Sequence, residues 1–207
     1  MVPVVVFDLG KVLVDFDYSI AARKVAARSS RKLERLDHFL SGSPLLNQFE
    51  SGRLTAGQFF SEVQKTTGFQ GGADEFAAYF ADIFVEMPEM VELHSGLREK
   101  KIPTFIFSNT NEIAVGHIRR RFPFFSGFDG YILSYEVGAM KPQAKIYEAL
   151  ETMSRRRGGD IFYIDDREEN VKAGAARGWE IVLHETPQKT RAAMDKFLAG
   201  HGQNGAK

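Results

Sequence analysis

Four apolar residues in a row, Val4, Val5, Val6 and Phe7, stand near the start of the chain and stop at Asp8. A run that is apolar on both faces of the pleat suits an interior parallel strand, and its end marks where burial must cease. Similar short runs recur at 102–107, 131–134, 161–164 and 180–183. Between them the apolar spacing turns helical, predicting helices over 89–100, 112–121, 144–156, 170–177 and 188–198. Leu93 and Leu97 give the first of these a stripe to lay on a sheet, Gly158-Gly159 stops the third, and Gly178 stands where a helix C-cap is expected. Strand and helix in alternation predict an α/β fold with a parallel sheet.

Residues 17–87 break that alternation, and no convincing strand is legible there. Helices are predicted over 19–35, over 56–67 behind a Thr55 N-cap, and over 73–86 after the Gly71-Gly72 pair. Phe59, Phe60, Phe76, Phe80 and Phe84 would give this insert a core of its own. The aromatic stretch 122–128 is expected to pack the insert against the rest. The expected organisation is a split core of 1–15 and 88–199, a helical insert of 16–87, and a frayed tail of 200–207.

Every strand of the core but the last leads to a polar group. Asp8 follows the first, Ser108-Asn109-Thr110 the second, Lys141-Pro142 comes after the third, and Asp165-Asp166 ends the fourth. Open α/β sheets hold their ligands at such carboxyl ends.

Composition narrows the classes of function. Lys plus Arg and Asp plus Glu both number 27, so no long-range field draws the chain to a nucleic acid backbone. Arg119–Arg121 and Arg155–Arg157 lie near helix C-termini, where positive charge meets the negative end of the dipole. Cys is absent, which removes thiolate nucleophiles, thiolate metal sites and disulfides. The apolar start is short and lacks a basic leader, no stretch has the length of a membrane span, and a cytoplasmic protein without nucleic acid or membrane partners is expected.

The four polar groups, in this order and ending in Ile164-Asp165-Asp166-Arg167-Glu168-Glu169-Asn170, resemble the four motifs of the haloacid dehalogenase-like superfamily of phosphohydrolases. The resemblance spans almost the whole chain and implies a Rossmann-like parallel sheet core with an inserted helical cap. Phe7-Asp8-Leu9-Gly10-Lys11-Val12-Leu13 looks like the branch that holds small sugar-phosphate phosphatases and the amino-terminal domain of soluble epoxide hydrolases. Carried over, the resemblance makes Asp8 the nucleophile that forms an aspartyl-phosphate. Ser108, Asn109 and Lys141 become the phosphate side of the site. Asp8, the backbone carbonyl of Gly10, Asp166, and Asp165 through a water become the Mg²⁺ site, with Asn170 orienting the loop. An all-oxygen donor set suits Mg²⁺, and none of the five His has ligand spacing to another.

Gly10 departs from the common Asp-x-Asp, whose second Asp is the general acid and base. That role is typically worth 10²–10⁴-fold, so an activated leaving group such as a sugar 1-phosphate would tolerate the loss best. A water, the substrate itself or a cap residue are the other ways to fill it. Cap candidates are Asp17, Tyr18, His38, Gln48, Glu50 and Arg53, with Glu50 favoured as a substrate contact. The expected activity is a Mg²⁺-dependent phosphatase of small phosphorylated metabolites, acting as a monomer or weak homodimer. The alternatives are a catalytically weakened relative acting by ligand or partner binding, and a phosphotransferase or 2-haloacid dehalogenase.

Overall fold

Strands lie where the apolar runs predict them in the computed structural model, which describes residues 2–203. In chain order the elements are β1 (Val4–Phe7), β2 (Val14–Phe16), α1 (Tyr18–Ala27), α2 (Leu36–Ser41), α3 (Pro44–Glu50), α4 (Ala56–Thr67), α5 (Ala73–Ala81) and β3 (Phe84–Glu86). They continue with α6 (Pro88–Glu99), β4 (Thr104–Ser108), α7 (Glu112–Arg121), β5 (Gly130–Leu133), α8 (Ser134–Val137), α9 (Ala144–Ser154), β6 (Ile161–Asp165), α10 (Glu168–Ala175), β7 (Glu180–Leu183) and α11 (Pro187–Gln203).

The five-stranded sheet has the order β5-β4-β1-β6-β7, and all its pairs are parallel. Strand β1 is central, so its fully apolar run is covered on both faces. Val5 and Phe7, with Ile106, Phe162 and Ile164, face Leu93 and Leu97 of α6, Val115 and Ile118 of α7, and Phe197 of α11. Val4 and Val6, with Phe105, Phe107 and Tyr163, face Ile146 and Leu150 of α9 and Val171 of α10. Period-two alternation thus sorts successive residues into two cores. The chain moves outward from β1 through β4 to β5 and then crosses to β6, so the order reverses beside β1. Ligands bind at such a switch point, outside the carboxyl ends of the strands.

Helices α1 to α5 enclose a third core that includes Leu40, Phe49, Phe59, Val63, Phe76 and Phe80. Phe59 stacks on Phe49 with ring centroids 4.6 Å apart and meets Phe80 edge-on at 5.3 Å. The Thr55 N-cap is observed and is a full capping box with Gln58. The backbone N–H of Ala56 also donates to Glu112 Oε1 of α7 at 2.6 Å, which ties the insert to the core.

Three expectations need correction. A strand does occur inside 17–87: β3 pairs antiparallel with β2, so both passages of the chain between core and insert form one ribbon, and the helix expected over 73–86 ends at Ala81. The helix expected over 19–35 stops at Ala27, and two short helices follow. Its Ala26-to-Ser30 run offers no apolar face to continue it. The aromatic stretch 122–128 does not join insert to core: Phe122, Phe125 and Phe128 pack under the sheet with Phe7 and Leu97. At the carboxyl end, α11 carries residues 200–203 in helix; 204–207 of the expected frayed tail lie outside the described residues.

If the insert is held by its aromatic core, Phe59→Ala should lower the unfolding free energy by about 3–5 kcal/mol, measured by urea denaturation. A loss under about 1 kcal/mol would mean that the Phe59 stack is not what stabilises it.

Candidate active site

The carboxyl ends of β1, β4 and β6 lie side by side because their register aligns Phe7 with Ile106 and with Ile164. Asp8 and Asp165 come next on β1 and β6, and Ser108 lies one residue further along β4, so all three share one edge of the sheet. Lys141 reaches them from the loop between α8 and α9. Its ammonium lies 3.1 Å from Asp8 Oδ1 and 2.6 Å from Asp165 Oδ2, and it donates to the Phe107 carbonyl at 2.8 Å. All three of its protons have partners, and the group is fully enclosed by protein. Burial alone would lower the Lys141 ammonium, but the two carboxylates outweigh it and hold it above its ordinary range.

The acids are perturbed in opposite directions. Burial, opposed by Lys141 and reinforced by Asp165 and Asp166, pushes Asp8 up to about 7. Asp165 is also buried, yet Lys141 and hydrogen bonds from Tyr163 and the Arg167 N–H hold it below the usual carboxylate range. Burial, then the Asp165 charge, pushes Asp166 up. Asp165 further accepts from Asn170 Nδ2 at 3.0 and 3.2 Å, so both of its oxygens are taken. Asp8 Oδ1 accepts from the Leu9 N–H at 2.7 Å, whereas its Oδ2 has no hydrogen-bond partner among the described residues.

The three acids bring one oxygen each within 4.8 Å of one another. The chain turns at the end of β6, and this lets the adjacent pair Asp165-Asp166 serve one centre. Asp166, only partly buried, is the member of the pair left open. The donor set is hard oxygen throughout, which fits a Mg²⁺-type cation.

Asn109 has a task that sequence reasoning did not find. Its side chain donates to the Lys141 carbonyl at 3.0 Å and accepts from the Lys141 N–H at 2.7 Å, so it clamps the lysine's backbone. Tyr163 and Asn111 were also missed. Tyr163 reads as one more aromatic of a buried strand, and only its place two residues before Asp165 hints at the contact. Asn111 caps α7 through its side-chain oxygen, and its Nδ2 is buried without a partner.

The insert overhangs this edge at the end of α3. The Ser134 hydroxyl lies 2.6 Å from the Glu50 carbonyl oxygen and accepts from the Thr110 N–H at 2.9 Å. Gly52 follows at φ +70°, where an added Cβ would meet the Tyr135 carbonyl oxygen at 2.2 Å, so only glycine permits this approach. A small cavity of about 60 Å³ lies there, lined among others by Gly10, Phe16, Tyr18, Glu50, Ser108 and Asn111. Of the other insert candidates, Gln48 and Arg53 line a wider groove of about 470 Å³ beside Lys141 and Pro142. Asp17 caps α1, and His38 is exposed on α2. At Gly10 an added Cβ would meet the Phe16 ring at 2.8 Å. That ring is held over the glycine by Lys11, whose ammonium lies 4.7 Å from its centroid.

A buried lysine bridging two carboxylates thus stands at the switch point of a parallel sheet, beneath a helical insert, as in an α/β protein with a ligand site at its strand ends. A family model described as "Hydrolase: haloacid dehalogenase-like hydrolase" matches residues 2–178, and the chain belongs to that family. A D-ribitol-5-phosphate phosphatase of Bacteroides thetaiotaomicron is 25% identical over 208 residues, which covers 96% of this chain and 99% of that protein. A HAD family enzyme from the same organism, solved as the wild-type protein in complex with magnesium and inorganic phosphate, superposes with a TM-score of 0.77 at 25% identity, over 88% of this chain and 93% of that one. A HAD-like family hydrolase from Porphyromonas gingivalis superposes at 0.81 with 23% identity, over 96% and 98%. No helix among the described residues is long and apolar enough to cross a membrane.

Removing the lysine should leave two buried acids without their counter-charge. Lys141→Met is therefore expected to cost about 3–5 kcal/mol of unfolding free energy at neutral pH, read by urea denaturation. An unchanged midpoint would show that the bridge contributes nothing to stability.

Proposed function

We propose that this chain is a Mg²⁺-dependent phosphatase of small phosphorylated sugars or polyols that works through an aspartyl-phosphate on Asp8. The observation that carries the reading is the Lys141 bridge. It fixes Asp8 at the switch point with Oδ2 unengaged, while Ser108 stands on the neighbouring strand end. Asp8 Oδ2 attacks phosphorus, and the Ser108 hydroxyl donates to a phosphoryl oxygen. Lys141 offsets the charge that gathers between the phosphate and the acids. Asp8, the Gly10 carbonyl and Asp166 would hold the ion, with Asp165 and Asn170 shaping the loop behind it. When bound, Mg²⁺ supplies the positive charge that lets a phosphate dianion approach a carboxylate.

The choice of a sugar or polyol phosphate is supported by the relative named for ribitol 5-phosphate and by the insert, whose Asn47, Gln48, Ser51 and Arg53 line a groove beside Lys141. A metal-free dehalogenase would have no use for Asp166 beside Asp8 and Asp165.

Turnover of p-nitrophenyl phosphate and of a panel of sugar 1-phosphates and terminal polyol phosphates should require Mg²⁺ and stop with EDTA. Asp8→Asn should reduce it to background. Ser108→Ala should lower kcat/KM about 10- to 100-fold, the worth of a hydrogen bond to a charged group. Activity that survives Asp8→Asn would overturn the aspartyl-phosphate route.

A further inference from the structure

The residue that a second motif-one carboxylate would occupy is not merely missing here; its space is filled. A Cβ at position 10 would come within 2.8 Å of the edge of the Phe16 ring, so a side chain there would have to push that ring aside. Proton transfer at the leaving oxygen must then come from another direction, and the cavity beside Gly10 shows one. Glu50, at the end of α3, lines it together with Ser108, and its backbone is pinned to the core through Ser134 and the close approach at Gly52. Asn111 also lines the cavity, and its Nδ2 is a buried donor without a partner among the described residues.

We propose that Glu50, carried by the insert, is the general acid and base of this enzyme, in place of the carboxylate that Gly10 lacks; this rests on the phosphatase reading above. In the first step the Asp8 Oδ2–phosphorus bond forms and the phosphorus–oxygen bond to the alcohol breaks. Its electron pair goes to the leaving oxygen, which takes the Glu50 proton. In the second step a water adds to the phosphoryl group and gives its proton to the Glu50 carboxylate. The bond to Asp8 then breaks, returning a carboxylate and releasing inorganic phosphate.

The electrostatics agree with the geometry. Burial, against the lowering pull of Arg167, pushes Glu50 up to about 7, so both of its protonation states are accessible near neutral pH. The other ionisable side chain lining the cavity is Tyr18, whose hydroxyl is raised by burial and by the Glu50 charge, and so stays protonated as a fixed donor. The inference also removes the need for an activated leaving group: a terminal polyol phosphate, with its poor alkoxide leaving group, becomes a competent substrate.

The test compares wild type with Glu50→Gln and Glu50→Asp, each checked for folding by circular dichroism, on a polyol phosphate and on 2,4-dinitrophenyl phosphate in Mg²⁺. The expected result for Glu50→Gln is a fall of about 10²–10⁴-fold with the alkyl ester. With the activated aryl ester it should keep a stoichiometric burst of dinitrophenolate, followed by slow turnover while the phosphoenzyme accumulates on intact-mass analysis. Glu50→Asp should recover part of the loss. The fall in wild-type kcat/KM above about pH 7 should vanish in Glu50→Gln. A Glu50→Gln enzyme as fast as wild type, or one that loses both esters equally with no burst and no phosphoenzyme, overturns the inference alone. A wild type with no Mg²⁺-dependent turnover of any ester overturns the phosphatase reading and this inference with it.

Discussion

One ammonium group holds the site together. Lys141 joins a carboxylate that follows β1 to another that ends β6, and its third proton goes to the last apolar carbonyl of β4. Three separate strand ends are thus locked by one buried cation, and each partner's protonation state depends on it. Two negative groups are buried at this edge because the lysine lies between them; without it, burial would neutralise them. The lysine is placed in turn by Asn109, whose amide reads its backbone from both sides.

The core was legible because interior parallel strands need unbroken apolar runs, and a polar residue that ends such a run is conspicuous. Asp8, Ser108 and Asp165 could be named for that reason. What stayed hidden depends on contacts between distant segments. Phe84-Val85-Glu86 reads as the end of a helical period, and only its pairing with Val14–Phe16 makes it a strand. Asn109 reads as a phosphate contact because it follows Ser108 in the same motif, but its side chain turns to Lys141. The 122–128 aromatics carry no mark of which layer they enter. The void at Gly10 was visible; that Phe16 fills it was not, since nothing in a sequence says which ring folds back over a glycine.

The insert is connected to the core in two unlike ways. Its two crossing chains form a short antiparallel ribbon, a hinge that two strands share. Its far rim touches the core through Ser134 with Glu50, Gly52 with Tyr135, and Ala56 with Glu112. Ile113 of α7 adds an apolar contact to the insert's core, and the aromatic interior of the insert is dense. Dense packing within the insert favours its acting as one body over internal rearrangement.

The size of the cavity beneath Glu50 then has a meaning of its own. About 60 Å³ accommodates roughly two waters, while small-molecule sites run to several hundred Å³. A phosphorylated polyol is larger than this space, so a substrate of that size would have to widen it. The contact between Ser134 and the Glu50 carbonyl is the one such widening would strain first, which makes that hydrogen bond a link between the size of the site and the position of the insert.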